Sequence, residues 1–199
     1  MKWLQRAIAI LAVLSFRSHA LSAIRPPNLF QKALLKLGRG KPWREAVVEC
    51  YFDGVQCQNR EQIKSCFAPS GTKIRDVGIL AMSTTTNNNN NNITQKSERL
   101  ATPDQLGDRC MQFLAAHPDT RVKFYYPPTC GRGLTMRWVF VHWYEEGTWK
   151  GVSEGIEPEF TPLHVEGQTR FLVNDDLHIV EMVVTRTFSE WEQRLQQRQ

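Results

Sequence analysis

The chain has 199 residues, with 25 Lys or Arg against 20 Asp or Glu, and a hydrophobic share of 41% that suffices for a buried core. The positive balance is confined to one end: the first 44 residues hold nine basic side chains and no acid, which leaves the remainder at a formal charge of −4. The basic excess is therefore no footprint of nucleic-acid binding by a folded domain, and five cysteines, an odd number with no C-x-x-C, argue against a disulfide framework or a zinc cluster.

Lys2 and Arg6 precede AIAILAVL, an apolar run too short to span a bilayer. Ser18-His19-Ala20 then offers small residues at the −3 and −1 positions of a cleavage site, so 1–20 reads as a signal peptide. Residues 21–42 are basic, acid-free and partly amphipathic, the composition of a transit peptide. The pair resembles the two-part leaders that route proteins through the endoplasmic reticulum into complex algal plastids. A plastid is the destination this implies, with secretion as the alternative and no stable membrane insertion after processing. On a secretory route, Asn92-Ile93-Thr94 is a glycosylation sequon.

Residues 43–199 are of a size for one domain. A helix over 42–57 presents Val47, Tyr51 and Val55 as one apolar stripe. A second helix, 60–68, turns Ile63, Cys66 and Phe67 inward and ends at Pro69 and Gly71. A strand over 72–78 places Ile74, Asp76 and Gly78 on one face and Lys73, Arg75 and Val77 on the other. A carboxylate beside Ile74 must be paired, protonated or functional, because burying it bare is costly.

Residues 83–99, STTTNNNNNNITQKSER, form a low-complexity insert that reads as a disordered surface loop, with an Asn-rich interaction segment as the alternative. Thr102-Pro103-Asp104-Gln105 opens a third helix with a capping box, and Leu106, Cys110, Phe113 and Leu114 form its buried side. Strands follow over 121–126, 134–145, 164–174 and 177–187, the last two joined at Asn174-Asp175-Asp176. Ser189-Glu190-Trp191-Glu192 is a second capping box, opening a C-terminal helix. Helices first and strands after give an α+β fold: three N-terminal helices packed on a curved antiparallel sheet.

The strand over 134–145 is apolar on both faces, Leu134, Met136, Trp138, Phe140, His142 and Tyr144 against Val139, Val141 and Trp143. In the next strand, Val165, Gly167, Thr169, Phe171 and Val173 form an inner face, and His164, Glu166, Gln168 and Arg170 an outer strip that is solvated or forms a homodimer contact through the sheet. Trp138, His142, Thr169 and Phe171 are the residues expected to line a ligand pocket.

VVECY through TKIRD, and WYEEGTWKG followed by GIEP and LHVEGQTRFLVNDDLHIVE, resemble the SnoaL-like proteins of the NTF2-like superfamily. The resemblance implies a cone: helices close one side of a bent sheet around an apolar cavity. The first stretch is similar to the opening of ketosteroid isomerases, which implies Tyr51 as oxyanion donor and Asp76 as general base. Trp149 stands where such strands usually carry His, Gly167 where the acid that partners the tyrosine would fall, and Thr185 and Arg186 where cyclase relatives carry late-strand acids.

Three functional readings follow. The first is a domain that binds a small apolar or amphipathic molecule in the cone. The second is an isomerase or cyclase using Asp76 and Tyr51. The third is a non-catalytic partner-binding or assembly domain. The structural alternative for Asp76 is a pair with an arginine such as Arg137 or Arg186, or a carboxylate that accepts backbone N–H bonds. The chain has no P-loop, dinucleotide fingerprint, G-x-S-x-G or HExxH, and no cofactor or metal is predicted.

Overall fold

The computed structural model describes residues 26–76 and 101–198. The Asn-rich insert, its sequon and the signal-peptide segment lie outside the described residues. Within them the order is α1 (Leu29–Lys36), α2 (Lys41–Gln56), α3 (Arg60–Ser65), β1 (Lys73–Asp76), α4 (Pro103–Ala116), β2 (Arg121–Cys130), β3 (Trp138–Thr148), β4 (Pro162–Val173), β5 (Ile179–Arg186) and α5 (Glu190–Gln197).

The five strands form one sheet in the order β1-β5-β4-β3-β2. β2 to β5 pair antiparallel as a meander, but β1 lies parallel to β5, with Asp76 opposite Val184. The sheet is therefore mixed, where the sequence suggested antiparallel pairing throughout. The physical reason is connectivity: α4 and three strands intervene between β1 and β5, so their pairing is not set by a hairpin.

Alternation along the strands sets the core. Val139, Val141 and Trp143 of β3, Val165, Phe171 and Val173 of β4, and Met182 and Val184 of β5 are buried against Val47, Val48, Tyr51 and Phe52 of α2 and Leu106 and Leu114 of α4. Burying such a side chain fully stabilises by about 1.5–3 kcal/mol, so the inner face needs its helices. Both capping boxes read from the sequence are present: Thr102 caps α4 with Gln105, and Ser189 caps α5 with Glu192.

Two boundaries differ most from expectation. β3 begins at Trp138, because the preceding residues Gly133–Thr135 make a 3-10 turn held by the Thr135 hydroxyl, which donates to the Arg132 carbonyl at 2.8 Å. β2 runs on to Cys130 through Pro127 and Pro128, which an edge strand with register shifts tolerates. Within the segment 21–42 that reads as leader, α1 is a helix with its own capping box, Asn28 with Gln31, and Leu35 is 1% exposed in the core.

Candidate functional site

Asp76 ends β1 on its inner face, and it is buried. The parallel register puts Val184 beside it, and Arg186, two residues further along β5, turns to the same side. The Arg186 Nε lies 3.5 Å from the Asp76 carboxylate. Of the two arginines suggested by the sequence, Arg186 fills the role, while Arg137 pairs with Asp175 at 2.6 Å.

Arg186 does more than meet Asp76. Its guanidinium forks onto Glu192 of α5, donating at 2.9 and 2.6 Å. The same carboxylate accepts from the Ser189 backbone N–H at 3.0 Å, closing the capping box. Arg109 of α4 approaches Glu192 at 3.5 Å and lies 4.4 Å over the Trp191 ring. Burial works against the Arg186 charge, yet its bonds to Glu192 and the charge of Asp76 hold its pKa above the ordinary value. Burial likewise works to raise the Glu192 carboxyl, but the bonds and charge of Arg186 hold it low. These four groups form a buried, alternating chain of two anions and two cations.

Glu145 stands outside that balance. It continues the inner face of β3 past Val141 and Trp143, and no ion pair or hydrogen bond reaches its carboxyl from the described residues. Burial pushes its pKa up to about 7; Arg186 pulls it down, while Glu192 and Asp76 push it further up. The side chain nevertheless keeps some accessible surface, as does that of Cys110 on α4. The Cys110 thiol is pushed up to about 12 by burial, with Asp76 and Glu145 adding to the effect. Both side chains are thus surrounded by protein without being fully sealed from solvent.

Tyr51 projects from the apolar stripe of α2, its ring 5.4 Å from Phe171 and 5.8 Å from Phe67. Burial raises its phenol well above the ordinary value, with Cys110, Asp76 and Glu145 contributing. Tyr51 therefore stays a neutral hydrogen-bond donor, in the electrostatic reach of both carboxyls. Gly167 faces Trp143 across the β3–β4 ladder. A Cβ there would stand 2.6 Å from the Trp143 indole and 2.9 Å from the Arg186 Cβ, so no acidic side chain could occupy it without repacking. The indole takes that space and donates to the Thr169 hydroxyl at 2.8 Å.

The residues expected from the sequence thus divide. Tyr51, Asp76, Thr169 and Phe171 lie together on the inner side. Trp138 and His142 lie on the outer face of the sheet, where His142 Nε2 is 3.0 Å from the Glu166 carboxylate and the Arg170 guanidinium sits 5.3 Å from the Trp138 ring centroid. Of the two apolar faces of β3, the one carrying His142 is the outward one. Arg109 and Glu145 were not singled out by sequence, and Glu192 was named only as a capping residue. The signal for Glu145 was available, since it falls on the same alternation as Val139, Val141 and Trp143.

The cavity geometry adds a second location. An open concavity of about 750 Å³ lies on the outer face, bordered by Tyr126, Phe140, His142, Gln168, Arg170 and Thr185. A smaller pocket of about 110 Å³ lies beside His117 and Trp149. Neither is lined by Tyr51, Asp76 or Glu145. Among the described residues, no group of three or more His, Cys, Asp or Glu is arranged to hold a metal.

A helix-backed mixed sheet with ionisable groups inside the bend decides the architecture. The fold is SnoaL-like. AclR, a candidate hydroxylase from Streptomyces galilaeus, superposes with a TM-score of 0.55 at 12% identity over 76% of this chain and 83% of that one. IdmH, a candidate polyketide cyclase from Streptomyces antibioticus, gives 0.53 at 15% over 72% and 91%. A candidate SnoaL-like polyketide cyclase from Jannaschia sp. CCS1 gives 0.51 at 14% over 78% and 90%. No family model matches the sequence, and no curated protein does. At these identities the SnoaL-like likeness is one of fold.

Proposed function

We propose that this SnoaL-like domain binds a small apolar or amphipathic molecule inside the cone, with the polar end of the molecule at Glu145, Asp76 and Tyr51. The observation that carries the reading is the unmatched carboxyl of Glu145 on the inner face. Buried ionisable groups are normally satisfied within the protein, and the other charges of the cluster are paired. Arg109 adds an unused donor, since its Nε is buried without a hydrogen-bond partner. The chemistry available is acid–base exchange. Asp76 would serve as general base and Tyr51 as oxyanion donor in an isomerase or cyclase, and a carboxyl held at about 7 gives the site a second group able to move a proton. The N-terminal leader, cut ahead of α1, would deliver the domain to a plastid, with secretion as the alternative.

The second reading, a partner-binding or assembly domain, draws on the outer face. Tyr126 and Phe140 are exposed there beside the 750 Å³ concavity, and a homodimer through the sheet would cover them. Nile red, a neutral apolar dye, separates the two. Cys110→Leu, with its circular dichroism unchanged, should cut the dye's fluorescence enhancement several-fold, and Phe140→Ser should leave it intact. The reverse pattern would move the ligand to the outer face and sink the interior reading.

A further inference from the structure

The described residues carry as many basic as acidic side chains, but the two signs are segregated. α1, the turn into α2, the β2–β3 corner and the β4–β5 turn meet at one end of the molecule. Lys32 pairs with Asp176 at 2.9 Å, and Arg44 with Asp175 at 2.7 Å. The Cys130 backbone N–H donates to Glu45 at 2.8 Å. The Met136 sulfur packs against Gly38, 2.9 Å from where a Cβ would stand. Residues 29–45, 130–137 and 174–176 hold seven Lys or Arg against three Asp or Glu. Lys36, Arg39 and Arg132 make no ion pair with the described residues.

The same end carries the apolar tips. Of the ten exposed large hydrophobic side chains among the described residues, five are here: Leu29, Phe30, Leu37, Leu134 and Met136. Leu134 is fully exposed at the 3-10 corner. Phe30, Ala33 and Leu37 follow one another at i, i+3 and i+7, so they form a single outward stripe of α1, away from buried Leu35. Scattered exposed leucines need no explanation; a stripe with a second loop beside it, ringed by unpaired cations, does.

We infer that this end docks onto an anionic lipid surface, the aliphatic tips entering the headgroup boundary while Lys36, Arg39 and Arg132 meet the headgroups. Charge decides against the other occupants. A second copy would bring two basic ends together. The chain's own first 25 residues add four more basic side chains and no acid. Nucleic acid would suit the charge, but aliphatic tips offer no stacking surface. The contact is peripheral, since among the described residues no helix is long and apolar enough to cross a membrane.

The test is co-sedimentation of the whole chain with vesicles of phosphatidylcholine containing about one third phosphatidylserine. Binding should exceed that to pure phosphatidylcholine by roughly tenfold and fall with added salt. Leu37→Asp combined with Leu134→Asp, both at exposed positions, should lower it by about tenfold or more. Equal binding by parent and variant would place the contact elsewhere, the first 25 residues included, and overturn the inference. So would equal binding to neutral vesicles, or no binding at all. A lipid-free dimer abolished by the variant would give the face to a second copy and overturn it as well.

Discussion

The two faces of the sheet are built from the same strands by the same alternation, yet a charge means different things on each. Outside, His142 meets Glu166, and Arg75 meets Glu181 at 3.1 Å, with partners that keep contact with water. Inside, Asp76, Arg186, Glu192 and Arg109 are matched almost one to one, and among the described residues of this cluster Glu145 is left over. An outer ion that loses its partner is rehydrated. An inner ion that loses its partner stays buried. The inner face is thus both the more fragile and the one where a ligand's polar group could replace water.

Removing the central cation should break this contrast open. Arg186→Met strands two buried carboxylates, and the expected loss is about 3–5 kcal/mol by urea denaturation. Arg170→Met, on the outer face, should cost no more than about 1 kcal/mol. Similar losses at the two sites would dissolve the distinction between the faces.

Glu145→Gln tests the leftover carboxyl through pH. Its folded pKa is raised to about 7 from an ordinary 4.5. Below the ordinary value both states hold the proton. Between there and about 7 only the unfolded chain ionises, so the parent loses stability as pH rises; above that window the cost is complete. The Gln variant lacks this slope and should be the more stable of the two at pH 8, by as much as about 3 kcal/mol. Parallel stability profiles from acid to alkaline pH would show that Glu145 is solvated.

The smallest effect belongs to the outer pair. A double-mutant cycle of His142→Ala with Glu166→Gln should return a coupling under about 1 kcal/mol. A larger value would mean that the outer face is desolvated, as it would be in a sheet-to-sheet dimer.

Much of the frame was legible in the sequence because it is local. The two capping boxes, the Val47–Tyr51–Val55 stripe and the inner and outer sides of β4 all follow from spacings of two to four residues. The orientation of β3 did not follow, because both of its faces are apolar. Only its register against β4, with Trp143 facing Gly167, assigns one face to the interior. Asp76 was found by alternation, and Arg186 was named as a partner, but the route between them runs through a parallel pairing across nearly the whole domain. Glu192 was legible as a cap and not as a counter-ion. α1 was hidden by composition, since a basic, acid-free stretch reads as a leader; Asn28 and Gln31 at capping-box spacing were the clue to it.

Glu192 closes the last helix and neutralises Arg186 with one carboxylate. Chains are made from the N-terminus, so this group leaves the ribosome after every other member of the cluster. Until it does, β5 can join the sheet but its arginine has only Asp76 to answer it, and Arg109 has no anion at all. The interior of the nascent domain is therefore one negative charge short until Glu192 emerges. Ordering α5 therefore completes the buried cluster electrically as well as sterically.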